Sequence, residues 1–409
     1  MSRLRGHACP HVRLEILDFL VDFGRSVAVA AGRSASMLAG ANRGDIIEDG
    51  RIFLSAPTTK KIAVITLAKE PVNLLDDSLW QQLHTAFQAV LDEQEKSKNI
   101  VACFLRSGLK SKKTFTAGGD LKEMAAQIAS KDFQKCRESQ NILSRTLQLI
   151  YTFPILTIAL INGFCPGAGT VLILSCDIRI MTAKHAAVGL PEIAVGLPVP
   201  CAWGELLEQR LADKTVAKEM LLSGKMVTGA EIIGDREAGR SYDGLVQLVL
   251  DEEEDRLGSS TIKGQGDAGT NGMDHAAERV RNVSQAIDAL MRSPGSASAA
   301  RSTSVPSPFF ADFIALMHKN NSTKSSASPE NHPPQAFLNT QNRAWAQTKR
   351  HLCQPFLEKW QKEFETHVAS NWKFLTQPET VEALQYYLST LKRKDKLESG
   401  GHGASKSKL

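Results

Sequence analysis

Residues Ile155 to Leu197 read ILTIALINGFCPGAGTVLILSCDIRIMTAKHAAVGLPEIAVGL, and this stretch constrains the fold more than any other part of the chain. Ile155 to Ile161 is an unbroken run of apolar and β-branched residues, the signature of a strand covered on both faces. Asn162-Gly163 supplies a turn, and Gly167-Ala168-Gly169 follows with side chains too small to screen the backbone from a ligand. The run TVLILS, Thr170 to Ser175, fits a short buried helix whose first amides lack intrahelical partners and carry partial positive charge into the turn. Two readings fit the turn by itself: a tight strand-to-helix connection with small residues for packing, or a site where negative charge on an oxygen is stabilised. A donor of the second kind is typically worth about 3 kcal/mol of barrier.

A second small-residue turn, FTAGGDLKEM from Phe115 to Met124, follows the strand expected over Ile100 to Leu105 and precedes a helical pattern. Asp120 is placed to cap that helix. Strands are also expected at Ile62 to Leu67 and Ile178 to Thr182. Helical spacing runs over Ser78 to Leu91 and over Phe133 to Tyr151, the latter through Phe133, Cys136, Ile142, Leu143, Leu147 and Ile150. Alternating strands and helices imply an α/β fold with a parallel sheet, and the core is expected to begin near residue 46.

The three segments TAGGDLKEM, INGFCPGAGTVLILSCDIRI and GLPEIAVGLPVP, in that order and spacing, resemble the crotonase (enoyl-CoA hydratase and isomerase) superfamily. The likeness extends upstream through IAVITLAKEPVNLLDDSLWQQL, with its Pro71-x-Asn73-x-Leu75 turn, and downstream through KEMLLSGKMVTGAEI and GLVQLVL. It covers about residues 50 to 255, with a further helical match from about 342 to 394. The resemblance implies a spiral of ββα turns followed by a C-terminal helical region. It puts the two oxyanion donors on the backbone amides of Gly119 and Ala168, and contacts to coenzyme A on Ala117, Gly118, Asp120 and Leu121. Relatives usually carry glycine where this chain has Ala168. No cofactor is implied, because the coenzyme A thioester is itself the substrate.

Hydratases of the family hold a water between two glutamates. The first of those positions is Val171 here and the second is Glu192. Hydration needs a water activated on one side and a proton delivered to carbon, which suits paired carboxylates. A lone carboxylate suits removal of a proton from C2 of a 3-enoyl thioester and its return at C4. The text CPGAGTVLILSCDIRI is similar to the mitochondrial-type Δ3,Δ2-enoyl-CoA isomerases, so the expected activity is enoyl-CoA isomerisation in fatty-acid β-oxidation. Two alternatives stand beside it: a 2-enoyl-CoA hydratase or other crotonase reaction, and a non-catalytic acyl-CoA-binding or scaffold protein. Read without the family, Glu192 after Pro191 is a helix-start residue favoured by the dipole. Its neighbours Leu190, Ile193, Val195 and Leu197 are expected to desolvate it and raise its pKa. Glu123 is expected to be solvated, Asp177 and Arg179 to form a structural pair or surface contacts, and His185 to be satisfied by a hydrogen bond.

The ten histidines are scattered, without the spacing of a metal site. The seven cysteines lack paired spacing and are expected as reduced thiols in an intracellular compartment. A net charge of +5 is too mild to invoke nucleic acid, although it favours the anionic coenzyme A phosphates. No apolar run reaches the roughly 20 residues of a membrane span.

Residues 1–45 are expected to form a poorly ordered extension. Gly24 to Gly44 is rich in Ala, Ser and Arg and free of acids, as in a transit peptide, whereas Glu15, Asp18 and Asp22 precede it. The spiral core is expected over 46–255. The stretch 256–341 is expected to be a linker and insertion, with a helix near 276–291 and an apolar island FFADFIALMHK between flanks of disordered composition. A helical region over 342–394 follows, its two helices near Ala344 to Thr366 and Pro378 to Lys392. Residues 395–409 are expected to be a flexible tail ending in Ser407-Lys408-Leu409, the address read by the peroxisomal import receptor. The peroxisome is the expected compartment and the mitochondrion the alternative. By resemblance, a trimer or a dimer of trimers is the expected assembly.

Overall fold

The computed structural model describes residues 10–19, 60–97, 100–111, 113–237, 242–250 and 335–400. Runs of β-branched and aliphatic residues become the strands of a six-stranded sheet: β1 (Val12–Phe19), β2 (Lys60–Leu67), β3 (Ile100–Ser107), β4 (Leu156–Ile161), β6 (Ile178–Thr182) and β9 (Leu248–Leu250), in the order β1-β2-β3-β4-β6-β9. All neighbours pair in parallel except β1, which runs antiparallel to β2. A second sheet joins β5 (Phe164–Pro166), β7 (Ala187–Gly189) and β8 (Val227–Thr228). Isolated bridges extend its ladder backward, from Phe164 to Thr114 and from Gly119 to Leu75. Each long strand is thus followed by a short segment in a second layer, and the chain winds as a spiral of ββα turns.

Helices occupy the spaces between. In α1 (Asp77–Ser97) the residues Leu79, Trp80, Leu83, Phe87 and Val90 recur at three- and four-residue spacing and are all buried. Phe87 meets Phe153 edge to face at 5.2 Å, at the foot of α3 (Phe133–Tyr151). The expected bounds of α3 match residue for residue, because Asp132 caps its start through the Lys135 amide. The remaining helices of the spiral are α2 (Leu121–Ala129), α4 (Ala168–Leu174), α5 (Cys201–Arg210), α6 (Lys214–Ser223) and α7 (Gly229–Glu237).

Two long C-terminal helices return to this core. The first, α8 (Gln335–Leu375), buries Cys353, Phe356 and Trp360 against α3, with Phe356 5.5 Å from the Tyr151 ring. Lys349 donates to Asp177 at 2.8 Å, both side chains being largely buried, and the same carboxylate oxygen accepts from the amide and hydroxyl of Thr157. The second, α9 (Pro378–Gly400), places Leu384 with Leu375, Leu197 and Ile128 in a smaller apolar cluster, flanked by Met124, Trp372 and Leu388.

Three boundaries differ from the sequence expectation. The N-terminal extension is not wholly unstructured: Val12–Phe19 adds an antiparallel strand to the sheet edge and buries Val12 and Ile16, because its alternating residues find the open side of β2. The C-terminal helical region starts at Gln335, not 342, and α9 continues to Gly400, so residues 395–400 are helical and not tail. The expected helix near 276–291, the apolar island and Ser407-Lys408-Leu409 lie outside the described residues.

Candidate active site

The two small-residue turns meet in the second layer of the spiral. Asn73 organises the first of them. Fully buried at φ 51°, it donates through Nδ2 to the carbonyls of Phe115 at 2.9 Å and Leu67 at 3.3 Å and to the Ser107 hydroxyl at 3.0 Å, while its Oδ1 accepts from the Lys69 amide. Thr116 donates to the Asn73 carbonyl at 2.6 Å and accepts from the Gly118 amide at 3.1 Å. Ala117 donates to the Val72 carbonyl, and the Gly118 carbonyl accepts from Leu75. Gly118 has φ 83°, and a Cβ there would lie 2.8 Å from the Pro166 carbonyl of the second turn.

The second turn is held as tightly. The Phe164 carbonyl accepts from the amides of Phe115 and Thr116, and the Gly167 amide donates to the Gly189 carbonyl at 2.9 Å. Ala168 begins α4, so its amide has no partner within the helix. A Cβ at Gly119 would stand 3.9 Å from that of Ala168, so these residues of separate turns are in van der Waals reach. Asp120 caps α2, its carboxylate accepting from the amides of Lys122 and Glu123. Leu121, the first residue of α2, packs on the smaller apolar cluster.

Glu192 opens a four-residue 3-10 turn, Glu192–Val195, immediately after β7 and Pro191. Its Oε1 lies 2.8 Å from where a Cβ would stand on Gly167, which has φ 56° and ψ −122° and is therefore glycine for two reasons. Its Oε2 is buried without a hydrogen-bond partner. Burial pushes the carboxyl up to about 7, against a smaller opposing pull from its own backbone amide. Leu190 and Leu197, flanking it in sequence, are themselves buried, whereas Ile193 is 43% exposed. Val171, on the helix beside this turn, is fully buried.

The remaining polar candidates lie elsewhere or are already engaged. Arg179 is fully buried and donates to three backbone carbonyls, of Leu245, Cys176 and Gly244, at 2.7, 2.7 and 3.0 Å. Asp177 pairs with Lys349, so the expected Asp177–Arg179 pair or surface contact is not formed: the buried guanidinium faces main-chain oxygens. Burial lowers Arg179 to about 9, with the nearby Arg210 adding to the effect. Glu123 accepts from the Asp77 amide at 3.3 Å, and partial burial followed by the Asp77 carboxylate raises its pKa. His185 is half-buried beside Ala186. The described cysteines, Cys103, Cys136, Cys165, Cys176, Cys201 and Cys353, are all free thiols. Among the described residues no group of three His, Cys, Asp or Glu side chains is placed to hold a metal ion, and no helix is long and apolar enough to cross a membrane.

Sequence reasoning overlooked two residues here. Asn73 was visible only as part of a turn motif, and Thr170 only as the start of an apolar run. The Thr170 hydroxyl, wholly buried, donates to the Cys165 carbonyl at 2.5 Å and accepts from the Gly189 amide at 2.8 Å. A threonine in an otherwise aliphatic seven-residue helix was the available signal.

Residues 58–253 match the family described as enoyl-CoA hydratase/isomerase. A Bacillus subtilis protein described as an enoyl-CoA hydratase/isomerase, YngF, is 35% identical over 183 residues, covering 44% of this chain and 66% of the relative. The bovine mitochondrial enoyl-CoA hydratase domain-containing protein 2 is 30% identical over 204 residues, covering 49% of this chain and 60% of its own length. The matched part thus spans less than two thirds of these curated relatives. Among solved structures, human mitochondrial delta3-delta2-enoyl-CoA isomerase superposes with a TM-score of 0.54 at 18% identity, covering 81% of this chain and 95% of that one. Enoyl-CoA hydratase from Bacillus halodurans gives 0.51 at 20% identity, covering 80% and 96%. At such identities the likeness speaks for the fold.

Proposed function

From the match of residues 58–253 to the enoyl-CoA hydratase/isomerase family, we propose that the chain is a Δ3,Δ2-enoyl-CoA isomerase acting in fatty-acid β-oxidation. The observation that carries the reading is the buried carboxyl of Glu192, poised near neutrality with an unpartnered oxygen, beside a turn whose helix carries Val171 where hydratases carry a second acid. A group with a pKa near the working pH can both accept and return a proton efficiently.

In the proposed reaction the thioester carbonyl oxygen is held by the amides of Gly119 and Ala168. Ionised Glu192 removes a proton from C2, and the electron pair of that C–H bond moves into the carbonyl to give a dienolate. Protonated Glu192 then delivers the proton to C4, the dienolate collapses, and the double bond stands between C2 and C3. No atom is gained or lost. The amides stabilise charge that exists mainly in the transition state and intermediate, which is where binding energy accelerates a step. Ala117, Gly118, Asp120 and Leu121 are the proposed contacts to coenzyme A.

Incubation of the purified full chain with 3-hexenoyl-CoA, followed by the absorbance of the conjugated product, tests this reading, with crotonyl-CoA as the hydration arm. Conjugated product from the parent and none from Glu192→Gln supports the isomerase. Faster hydration than isomerisation overturns it in favour of a hydratase, and binding without turnover of either thioester favours an acyl-CoA-binding protein.

The backbone of Gly167 gives a second expectation. In Gly167→Ala the new methyl would press on the Glu192 carboxylate in a backbone conformation that alanine resists. Displacing the base by even part of an ångström is expected to lower kcat about ten- to a hundredfold. Kinetics of the folded variant check this, and parent kcat would remove Gly167 from the site. For location, the peroxisome read from Ser407-Lys408-Leu409 is proposed, with the mitochondrion, named for relatives such as the bovine protein, as the alternative. Colocalisation of a tagged full chain that keeps its own C-terminus, with and without Leu409, distinguishes them.

A further inference from the structure

The Thr170 hydroxyl stands at the junction of the two turns that the proposed reaction uses. Its donated bond reaches the carbonyl of Cys165, two residues before Gly167, and its accepted bond comes from the amide of Gly189, three residues before Glu192. The Gly167 amide closes the same junction from the other side by donating to the Gly189 carbonyl at 2.9 Å. Gly189 is therefore gripped at both its N–H and its C=O, once by a side chain and once by main chain. All of Thr170, Cys165 and Gly167's successor Ala168 are buried, so water cannot replace a missing bond without rearrangement. The Cys165 and Gly189 groups belong to neighbouring strands, β5 and β7, whose paired residues include Pro166 and Gly189.

We propose that Thr170 is a positioning residue: its hydroxyl fixes the turn that bears the Ala168 amide against the turn that bears Glu192, and so sets the distance between oxyanion donor and base. The inference rests on the isomerase reading for its kinetic consequence, but the coupling of the two turns is independent of it. Valine at this position keeps the shape and removes both hydrogen bonds. Serine keeps both bonds and drops only the methyl group. Cysteine keeps a donor, but a weak one.

The test compares Thr170→Val, Thr170→Ser and Thr170→Cys with the parent in the full chain, by kinetics on 3-hexenoyl-CoA across pH. In parallel, infrared titration follows the protonated Glu192 carboxyl, identified as the band lost in Glu192→Gln. The expected result is a fall in kcat of about a hundredfold in Thr170→Val, with KM little changed, a displaced Glu192 titration, near-parent behaviour of Thr170→Ser and an intermediate Thr170→Cys. Parent kcat and parent titration in Thr170→Val overturn the proposal. So does a Thr170→Ser variant as defective as valine, which would assign the effect to the methyl group. If Thr170→Val does not fold, Thr170→Cys decides: a displaced titration supports the proposal and parent behaviour overturns it. If the parent does not isomerise, the reading of the reaction falls, and the infrared titrations alone decide on Thr170.

Discussion

Glu192→Gln is expected to abolish isomerisation, with kcat lower by about 10²–10⁴, the range over which a positioned proton-transfer group contributes. The amide can neither take a proton from C2 nor hand one to C4, while its size leaves the Gly167 contact and the substrate's other contacts in place. KM should therefore move far less than kcat. Because the base must be ionised in the free enzyme, kcat/KM of the parent should rise with pH through an apparent value of about 7, set by the burial of this carboxyl.

The same substitution should change stability in the opposite sense. The unfolded chain gives up this proton near 4.5 and the folded one near 7, so between those values the unfolded state binds fewer protons and stability falls as pH rises. Below about pH 4.5 the contribution is fully present, and above about pH 7 it is fully lost. The loss is of the order of 3 kcal/mol, from a shift of about 2.5 units at 1.36 kcal/mol each. Glu192→Gln escapes it, and above pH 7 the variant should be harder to unfold in urea than the parent while being inactive. Equal unfolding midpoints at pH 5 and pH 8 for the parent, relative to the variant, would show that the carboxyl is solvated in solution.

The second large effect concerns Arg179. Its guanidinium saturates the carbonyls of Cys176, Leu245 and Gly244, linking the end of the α4 segment to the turn before β9. Arg179→Met keeps much of the volume but strands the Cys176 and Leu245 carbonyls, at about 1–3 kcal/mol each where no other donor reaches them, while the half-buried Gly244 carbonyl still accepts from the Gln247 side-chain amide at 3.4 Å. A net loss of about 4 kcal/mol in unfolding free energy is expected, large enough to rank among exceptional single substitutions. Lysine has one charged nitrogen in place of a planar fork and should recover only part of the loss. Urea unfolding of the three proteins is the measurement, and an Arg179→Met variant as stable as the parent would mean that other donors take over the carbonyls.

Much of the frame was legible in the sequence because its elements are strongly patterned. The aliphatic runs of β2, β3, β4 and β6 can hardly be anything but buried strands, and α3 carries both its apolar spacing and its Asp132 cap in the text. The direction of the Glu192 shift was legible from apolar neighbours, but its source was not. Ile193 is largely exposed, and one neighbour of the carboxyl is Gly167, distant in sequence and brought near by the β5–β7 pairing. Asp177 and Arg179 sit two apart at the start of β6, which suggests a pair. Tertiary structure separates them instead, because Lys349 arrives from the C-terminal helix and claims the carboxylate. β1 escaped notice for a related reason: a short alternating segment acquires its meaning from the vacant edge it completes.

The contacts of α8 and α9 bear on where this protein can be cut. Ile128 and Leu197 belong to the stretch that matches the family, yet Leu375 and Leu384 close over them, and Gly196, at the end of the Glu192 turn, approaches Ala383. An excised piece ending near residue 253 would uncover that apolar surface and leave the buried carboxylate of Asp177 without its ammonium partner. The limits of homology and the limits of the cooperative unit therefore do not coincide: the recognisable half of the chain borrows its last wall from the other half.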